Sequence, residues 1–348
     1  MPVRSARRSS EQQKEAMFFE RLDEQAVRCH LCPHTCKITE SRRGICGVRE
    51  NQQGVLYSLV YGKVAAQAID PIEKKPLFHF FPGSTAYSIA TVGCNFRCRN
   101  CQNYDLSQMP KDQKRIFGEY MAPEEIVTIA KQYECKSIAY TYVEPTIFFE
   151  YAYEIAQLAR AAGISNVFVS NGYISEEAIR SLAPYLDAIN IDLKSFSEEV
   201  YHTNCGAHLQ PVLDAIKLYR QLGVWVEITT LVIPTLNDAD EEFRAIAEFI
   251  KSVGVEIPWH ISQFYPTYKL TNLPRTPVAT LHRARDIGKE VGLRYVYEGN
   301  VPGEGGESTY CYHCGTRLIE RYGFYIRENR LTSDAKCPTC GTQIDGVF

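Results

Sequence analysis

Three cysteines, Cys94, Cys98 and Cys101, stand in the spacing C-x3-C-x2-C within Gly93-Cys94-Asn95-Phe96-Arg97-Cys98-Arg99-Asn100-Cys101. Thiolates set this close converge on a metal more readily than on each other. A cubane [4Fe–4S] cluster normally takes four thiolates. A loop that offers three leaves one iron open to a substrate or cofactor. The competing reading is a structural zinc knuckle short of one ligand. The loop follows the apolar run Ala86–Val92, which reads as a strand.

Eleven of the thirteen cysteines fall into three groups: Cys29/Cys32/Cys36/Cys46, Cys94/Cys98/Cys101, and Cys311/Cys314 with Cys337/Cys340. In a reducing compartment such groups read as metal ligands, not as a disulfide framework. The last group forms two C-x2-C-G knuckles flanking the strand-like run Leu318–Ile326. Four thiolates in that pattern predict closed tetrahedral zinc, with rubredoxin-like iron as the alternative. His313 lies between two ligands and is not read as one. The N-terminal group fits zinc or a second Fe–S cluster. His34 and the Gly44/Gly47 turn resemble a knuckle and tip the reading toward zinc. Zinc there would shape a lid, whereas a cluster would relay electrons or bind substrate. Cys135 reads as a packed core thiol. Cys205 falls on a loop after a strand and is read as a bystander, the alternatives being hydrogen donation or substrate contact.

The elements that must position these groups alternate. Strands are expected at Ala86–Val92, Ser137–Tyr142, Asn166–Ser170, Ala188–Leu193, Val224–Val232, Trp259–Phe264 and Arg294–Tyr297. Helices are expected between them at Pro123–Gln132, Ile147–Ala162, Ser175–Leu182, Pro211–Leu222, Asp238–Val253 and Pro277–Val291. Gly163, Gly223, Gly254 and Gly292 follow helical runs, as C′ glycines do. Repeated βα units demand a parallel α/β sheet, doubly wound or closed into a full or partial barrel. Either way, chemistry collects at the C-terminal ends of the strands. Ahead of these units, Val55–Ile69 reads as one strand-like stretch. Behind them lies the glycine-rich linker Gly299–Gly306.

With 348 residues and 45% apolar composition the chain can bury a large core. A formal net charge of −3 argues against a nucleic-acid-binding surface, and no apolar run reaches the length of a membrane span. Arg4, Arg7 and Arg8 are followed by Glu11, Gln12, Gln13 and Lys14 in place of an apolar h-region. The start therefore reads as a polar leader, not a signal peptide, and the protein as cytoplasmic.

Four segments lie in order at predicted strand ends: Gly93–Cys98, Tyr140-Thr141-Tyr142-Val143-Glu144-Pro145-Thr146, Ser170-Asn171-Gly172-Tyr173 and Asn190-Ile191-Asp192-Leu193-Lys194. Together they resemble the radical SAM superfamily, in the branch that contains the activating enzymes of glycyl radical enzymes. The segment Ile72–Phe80 and the tail resemble, more narrowly, the radical SAM component of the AmmeMemoRadiSam system. The resemblance implies a partial (β/α)6-type barrel over residues 85–300. A Cys-rich β segment (17–84) and a leader (1–16) precede it, and a zinc-ribbon-like tail (301–348) follows.

The implied chemistry is reductive cleavage of S-adenosylmethionine, chelated at the open iron, to a 5′-deoxyadenosyl radical that abstracts hydrogen from a substrate. Cys94, Cys98 and Cys101 would hold the cluster. Glu144 is the position assigned to the methionine ammonium, and Asp192 with Lys194 match an Asp-x-Lys motif at the cofactor's methionine end. Strand alternation sends those last two side chains to one face. Ser170 and Asn171 fall at the next strand end. The superfamily usually has an aromatic residue before the third cysteine, where this chain has Asn100, with Phe96 earlier in the loop; these two mark the adenine side. Implied partners are a flavodoxin- or ferredoxin-type electron donor and Memo-like and AMMECR-like proteins. An activase acting on a partner protein and a non-catalytic multi-zinc module are the alternatives. Arg97 and Arg99, and likewise Lys74 and Lys75, read as solvated charge. Gln263–Lys269 is placed on the substrate side by position alone.

Overall fold

In the computed structural model, which describes residues 13–348, eight strands make one sheet. They are β1 (Ala66–Pro71), β2 (Thr85–Ala90), β3 (Ser137–Tyr140), β4 (Ser165–Ser170), β5 (Ala188–Asp192), β6 (Trp225–Val232), β7 (Trp259–Gln263) and β8 (Val296–Gly299). Their order across the sheet is simply β1 to β8. β1 runs antiparallel to β2, and β2 to β8 are mutually parallel. A doubly wound sheet reverses its strand order midway; this one never does. Right-handed crossovers in an unreversed order set the long crossover helices on one face. Those helices are α1 (Pro123–Gln132), α2 (Phe149–Ala161), α3 (Glu176–Leu182), α4 (Gln210–Gln221), α5 (Asp240–Val253) and α6 (Val278–Val291).

Local chemistry explains the elements. β3 is buried at all four residues, as strands covered on both faces are. α1 begins at Pro123 with Glu124 and Glu125 in its first turn, and α5 begins with Asp240, Glu241 and Glu242, which complement the helix dipole. Gly163, Gly223 and Gly292 take positive φ after their helices. Gly254 is different: its φ of 175° is ordinary extended backbone.

Two expected strands divide. Val55–Ile69 is broken into Val55–Ser58, Lys63–Val64 and β1, because the chain turns at Gly62 with φ +72°. Leu318–Ile326 folds back as a hairpin of Arg317–Tyr322 and Tyr325–Asn329 around Gly323. Of the expected leader, residues 1–12 lie outside the described residues, while Lys14–Glu15 pairs with Tyr57 and Ser58. Among the described residues no helix is long and apolar enough to cross a membrane.

The segment after β1 passes under the N-terminal ends of the parallel strands. Glu227, near the start of β6, accepts hydrogen bonds from the backbone N–H groups of Phe78 and His79 at 3.0 and 2.8 Å and from Trp225 Nε1 at 3.0 Å. His79 Nδ1 lies 2.6 Å from the Asp345 carbonyl, so the tail closes over the same end. Phe78, Tyr295 and Tyr297 share a buried cluster with Cys311, Leu318, Cys337 and Ile344. The opposite, C-terminal end of the strands is left for the site.

Candidate active site at the C-terminal ends of the parallel strands

The loop after β2 carries Cys94, Cys98 and Cys101. Gly93 takes φ +106°, and a Cβ there would stand 2.6 Å from Val48 Cγ1 and 3.1 Å from the Cys46 carbonyl, so only glycine fits the turn. The backbone of the loop is held from both sides. Arg97 and Arg99 N–H groups donate to the Cys205 and Asn204 carbonyls at 2.8 and 3.1 Å, while their side chains are exposed. Phe96 O accepts from Lys111 Nζ at 2.5 Å and from Gln108 Nε2 at 3.2 Å. The Asn95 side chain bridges to Tyr173 O and Asn171 Nδ2, each at 2.8 Å.

The three sulfurs have polar company. Phe96 N–H donates to Cys94 Sγ at 3.3 Å, and Ser107 Oγ lies 3.1 Å from Cys101 Sγ. Burial pushes the Cys94 thiol up to about 12 and raises Cys101 as well. Cys98 is raised by a hydrogen bond with Cys205 and then by burial. Buried thiols hold their protons until a cation displaces them. Three such thiols around a cavity, with a lysine beside them, therefore suit a metal cluster with one open position. Cys205 itself is fully buried.

Glu144 follows β3 and is 3% exposed. Its Oε1 accepts from Thr146 N at 3.0 Å, Thr146 Oγ1 at 2.6 Å and Ser170 Oγ at 2.8 Å, and its Oε2 accepts from Asn171 N at 2.7 Å. Burial raises its pKa, and these donors pull in the opposite direction. Oε2, with a single internal donor, keeps acceptor capacity for a ligand. At the end of β5, Lys194 Nζ lies 3.0 Å from Asp192 Oδ2. Burial acts to lower the Lys194 ammonium, but Asp192 together with the nearby Cys98 and Cys205 overrides it and the net shift is upward. Asn100 Oδ1 accepts from Asn204 Nδ2 at 2.9 Å. Phe96 packs edge-on against Tyr173, with centroids 5.2 Å apart.

One cavity of about 550 Å³ gathers all ten residues expected at the site: Cys94, Phe96, Cys98, Asn100, Cys101, Glu144, Ser170, Asn171, Asp192 and Lys194. That volume is in the range of small-molecule and cofactor pockets. The cavity also holds a buried polar atom without a partner, Asn204 Oδ1. The donor set fits a three-thiolate cluster together with a zwitterionic ligand.

Several lining residues were not legible in the sequence. Lys75, read as solvated charge, is 1% exposed and lines the cavity with the more open Lys74. Its Nζ meets Asp70 Oδ2 at 2.6 Å, an oxygen that also accepts from Tyr142 at 2.5 Å and Ser88 at 3.0 Å. Tyr142 pays for this position with a left-handed φ of +63°. Nothing in Glu73-Lys74-Lys75-Pro76 distinguishes a buried lysine from a surface one. Phe324, at the tip of the tail hairpin, also lines the cavity. Gln263–Lys269 does not: Tyr268 stacks on Tyr104 with centroids 4.7 Å apart, and Lys269 N–H donates to Arg99 O at 2.9 Å. That segment buttresses the outside of the cysteine loop.

The other cysteine groups are separate. Cys311, Cys314, Cys337 and Cys340 bring their sulfurs within 4.8 Å of one another, with Cys311–Cys340 and Cys314–Cys337 each at 3.7 Å. They form a metal-binding constellation, and none of the four lines the cavity. Cys29, Cys32, Cys36 and Cys46 line a small void of their own with Arg49, Thr146 and Ile147. Cys135 is buried, 5% exposed.

Known proteins resemble this chain in sequence and in fold. The sequence model of the Radical SAM superfamily matches residues 88–250. The uncharacterized protein MJ0808 of Methanocaldococcus jannaschii is 49% identical over 96% of this chain and 100% of its own length. The putative glycyl-radical enzyme activating enzyme MJ1632 of the same organism is 27% identical over 61% of this chain and 79% of its own. Among solved structures, Streptococcus suis SuiB bound to S-adenosylmethionine superposes with a TM-score of 0.50 at 13% identity, over 66% of this chain and 53% of that one, a likeness of fold. The chain belongs to the radical SAM superfamily, with relatives among the glycyl-radical activating enzymes. That membership implies a [4Fe–4S] cluster, S-adenosylmethionine and an enzyme.

Proposed function

We propose that this protein cleaves S-adenosylmethionine reductively at a [4Fe–4S] cluster held by Cys94, Cys98 and Cys101, and that the resulting 5′-deoxyadenosyl radical takes hydrogen from a substrate in the cavity. The observation that carries the reading is the single cavity that gathers the three thiols and the seven expected cofactor contacts. The cluster, when bound, supplies the electron; the protein's share is to bind, orient and exclude. Glu144 Oε2 takes the methionine ammonium by a charge-assisted hydrogen bond. Asp192 and Lys194 address the same polar end, with Ser170 and Asn171 fixing the Glu144 carboxylate. Phe96 and Asn100 border the adenine side.

The unreversed open sheet supports a partial barrel, here residues 85–300. The tail, residues 301–348, reads as a zinc-ribbon-like unit. Zn–S bonds of about 2.3 Å give tetrahedral S···S edges of about 3.8 Å, and two observed edges of 3.7 Å suit a single ion. We place the protein in the cytoplasm, served by a flavodoxin- or ferredoxin-type donor. We assign it to an AmmeMemoRadiSam-type modification system with Memo-like and AMMECR-like partners.

The decisive experiment is anaerobic reconstitution. A [4Fe–4S]⁺ electron paramagnetic resonance signal altered by S-adenosylmethionine, with release of 5′-deoxyadenosine, is expected. Cluster and cofactor binding without cleavage under a strong reductant would count against the proposal. A second reading, an activase that installs a glycyl radical on a partner protein, is favoured by the similarity to MJ1632. Deuterium transferred to 5′-deoxyadenosine from a glycine-labelled partner protein would select it.

A further inference from the structure

We propose that Cys29, Cys32, Cys36 and Cys46 hold a [4Fe–4S] cluster, not a single zinc ion, with the buried Arg49 guanidinium as its charge partner. The site lies outside the cavity described above and uses none of its residues.

Sulfur spacing separates the two kinds of metal. Four thiolates on one ion must crowd to S···S edges of about 3.8 Å, and the tail cysteines do so. Among the described residues that tail group alone brings three or more ligand atoms within 4.8 Å of one another. The N-terminal thiols are spread wider, around a void that all four line. A cubane takes each thiolate on a different iron at a different corner, so its four sulfurs must stand further apart than those around one ion. The N-terminal thiols thus lack the crowding of a single-ion site that the tail thiols show.

Arg49 points independently to an anionic occupant. Its side chain lines the void and the residue is 1% exposed. Nη2 donates to Glu150 Oε1 at 2.9 Å and to Met17 O at 2.5 Å. Nε and Nη1 have no partner in the protein. Leaving two guanidinium donors buried and unpaired is costly. Glu150 supplies one negative charge, but its position leaves those two donors unsatisfied. A cluster with four thiolates and inorganic sulfides carries net negative charge and offers acceptors in the void that Arg49 borders.

The surroundings fit a redox centre placed against the first cysteine loop. The Cys46 carbonyl abuts Gly93, the residue before Cys94. His34 Nε2 lies 2.9 Å from Asn95 O, and Ser175 N–H donates to Leu31 O at 3.0 Å. Sequence reading leaned to zinc on His34 and the Gly44/Gly47 turn, but the His34 ring is engaged with the neighbouring loop.

The test uses the full chain with Cys94→Ala, Cys98→Ala and Cys101→Ala, purified anaerobically and reconstituted with iron and sulfide. We expect about four iron and four sulfide per chain to remain, with a signal on dithionite reduction, and to be lost when Cys32→Ala and Cys46→Ala are added. Zinc in their place, or no metal beyond one equivalent at the tail, overturns the proposal. Because this variant lacks the first cluster, the outcome is independent of whether the protein cleaves S-adenosylmethionine. In the same background Arg49→Met should lower the midpoint potential of the remaining cluster, and Arg49→Lys should recover part of the shift. An unchanged potential in a folded Arg49→Met chain removes Arg49 from the proposal.

Discussion

Ser170 Oγ donates to Glu144 Oε1 across 2.8 Å, tying the end of β4 to the turn that follows β3. The adjacent Asn171 N–H takes Oε2 at 2.7 Å. Two neighbouring strands of the sheet therefore fix one carboxylate, and they fix it at the rim of the cavity that contains the three thiols. A carboxylate held this way offers a pre-oriented acceptor that loses little entropy on binding.

Glu144→Gln should weaken S-adenosylmethionine binding roughly 10- to 150-fold, the range for losing a hydrogen bond to a charged group, with the fold retained. Calorimetric titration of the reconstituted enzyme measures it. Burial raises the Glu144 pKa above the ordinary carboxylate value, so on acidification it protonates earlier than an exposed glutamate. Affinity should accordingly fall as pH drops through that raised value, and the Glu144→Gln variant should lack this dependence. Equal pH profiles in the two proteins would remove Glu144 from the ammonium contact.

Each of Cys94→Ala, Cys98→Ala and Cys101→Ala should remove about four iron per chain and reduce 5′-deoxyadenosine formation to background. Iron analysis alongside product quantification checks both parts.

Lys75→Met should destabilise the fold by about 3 kcal/mol, the lower end for breaking a buried ion pair. The low end applies because Lys74 Nζ, Tyr142 and Ser88 still reach Asp70. Burial lowers the Lys75 pKa to about 8 from 10.5. Between those values the unfolded chain binds the extra proton and the folded chain does not, so this group's contribution makes stability rise with pH from about 8 to 10.5. Denaturant titrations across that window should show the slope in the parent and its loss in Lys75→Met.

The tail should carry one zinc per chain, absent from Cys314→Ser. Cys311 and Cys337 are packed with Phe78, Tyr295 and Tyr297. Metal loss should therefore lower the melting temperature of the whole chain, not release an independent module. Elemental analysis and calorimetry test this; iron in place of zinc would indicate a rubredoxin-like site.

What could be read in the one-dimensional chain was local. The helix Pro123–Gln132 is marked by its proline and first-turn acids, and observed as expected, because capping and dipole effects act within a few residues. The three cysteine groups announced themselves by spacing alone. Strand ends could be ordered by alternation, and the family resemblance singled out Glu144, Asp192 and Lys194 at those ends. Long-range relations were out of reach. No local signal separates Lys75, buried against Asp70, from a solvated lysine, or brings Phe324 from the tail to the cavity. Spacing predicted closed tetrahedral metal at the tail, where two edges measure 3.7 Å, but it could not tell whether Cys29, Cys32, Cys36 and Cys46 crowd likewise or surround a void beside Arg49. Sulfur separation depends on how distant segments pack against each loop. Residue types and their intervals thus determined which chemistry is possible here; the packing of the tertiary structure decided which groups share a cavity, which charges are desolvated, and how far apart the thiols stand.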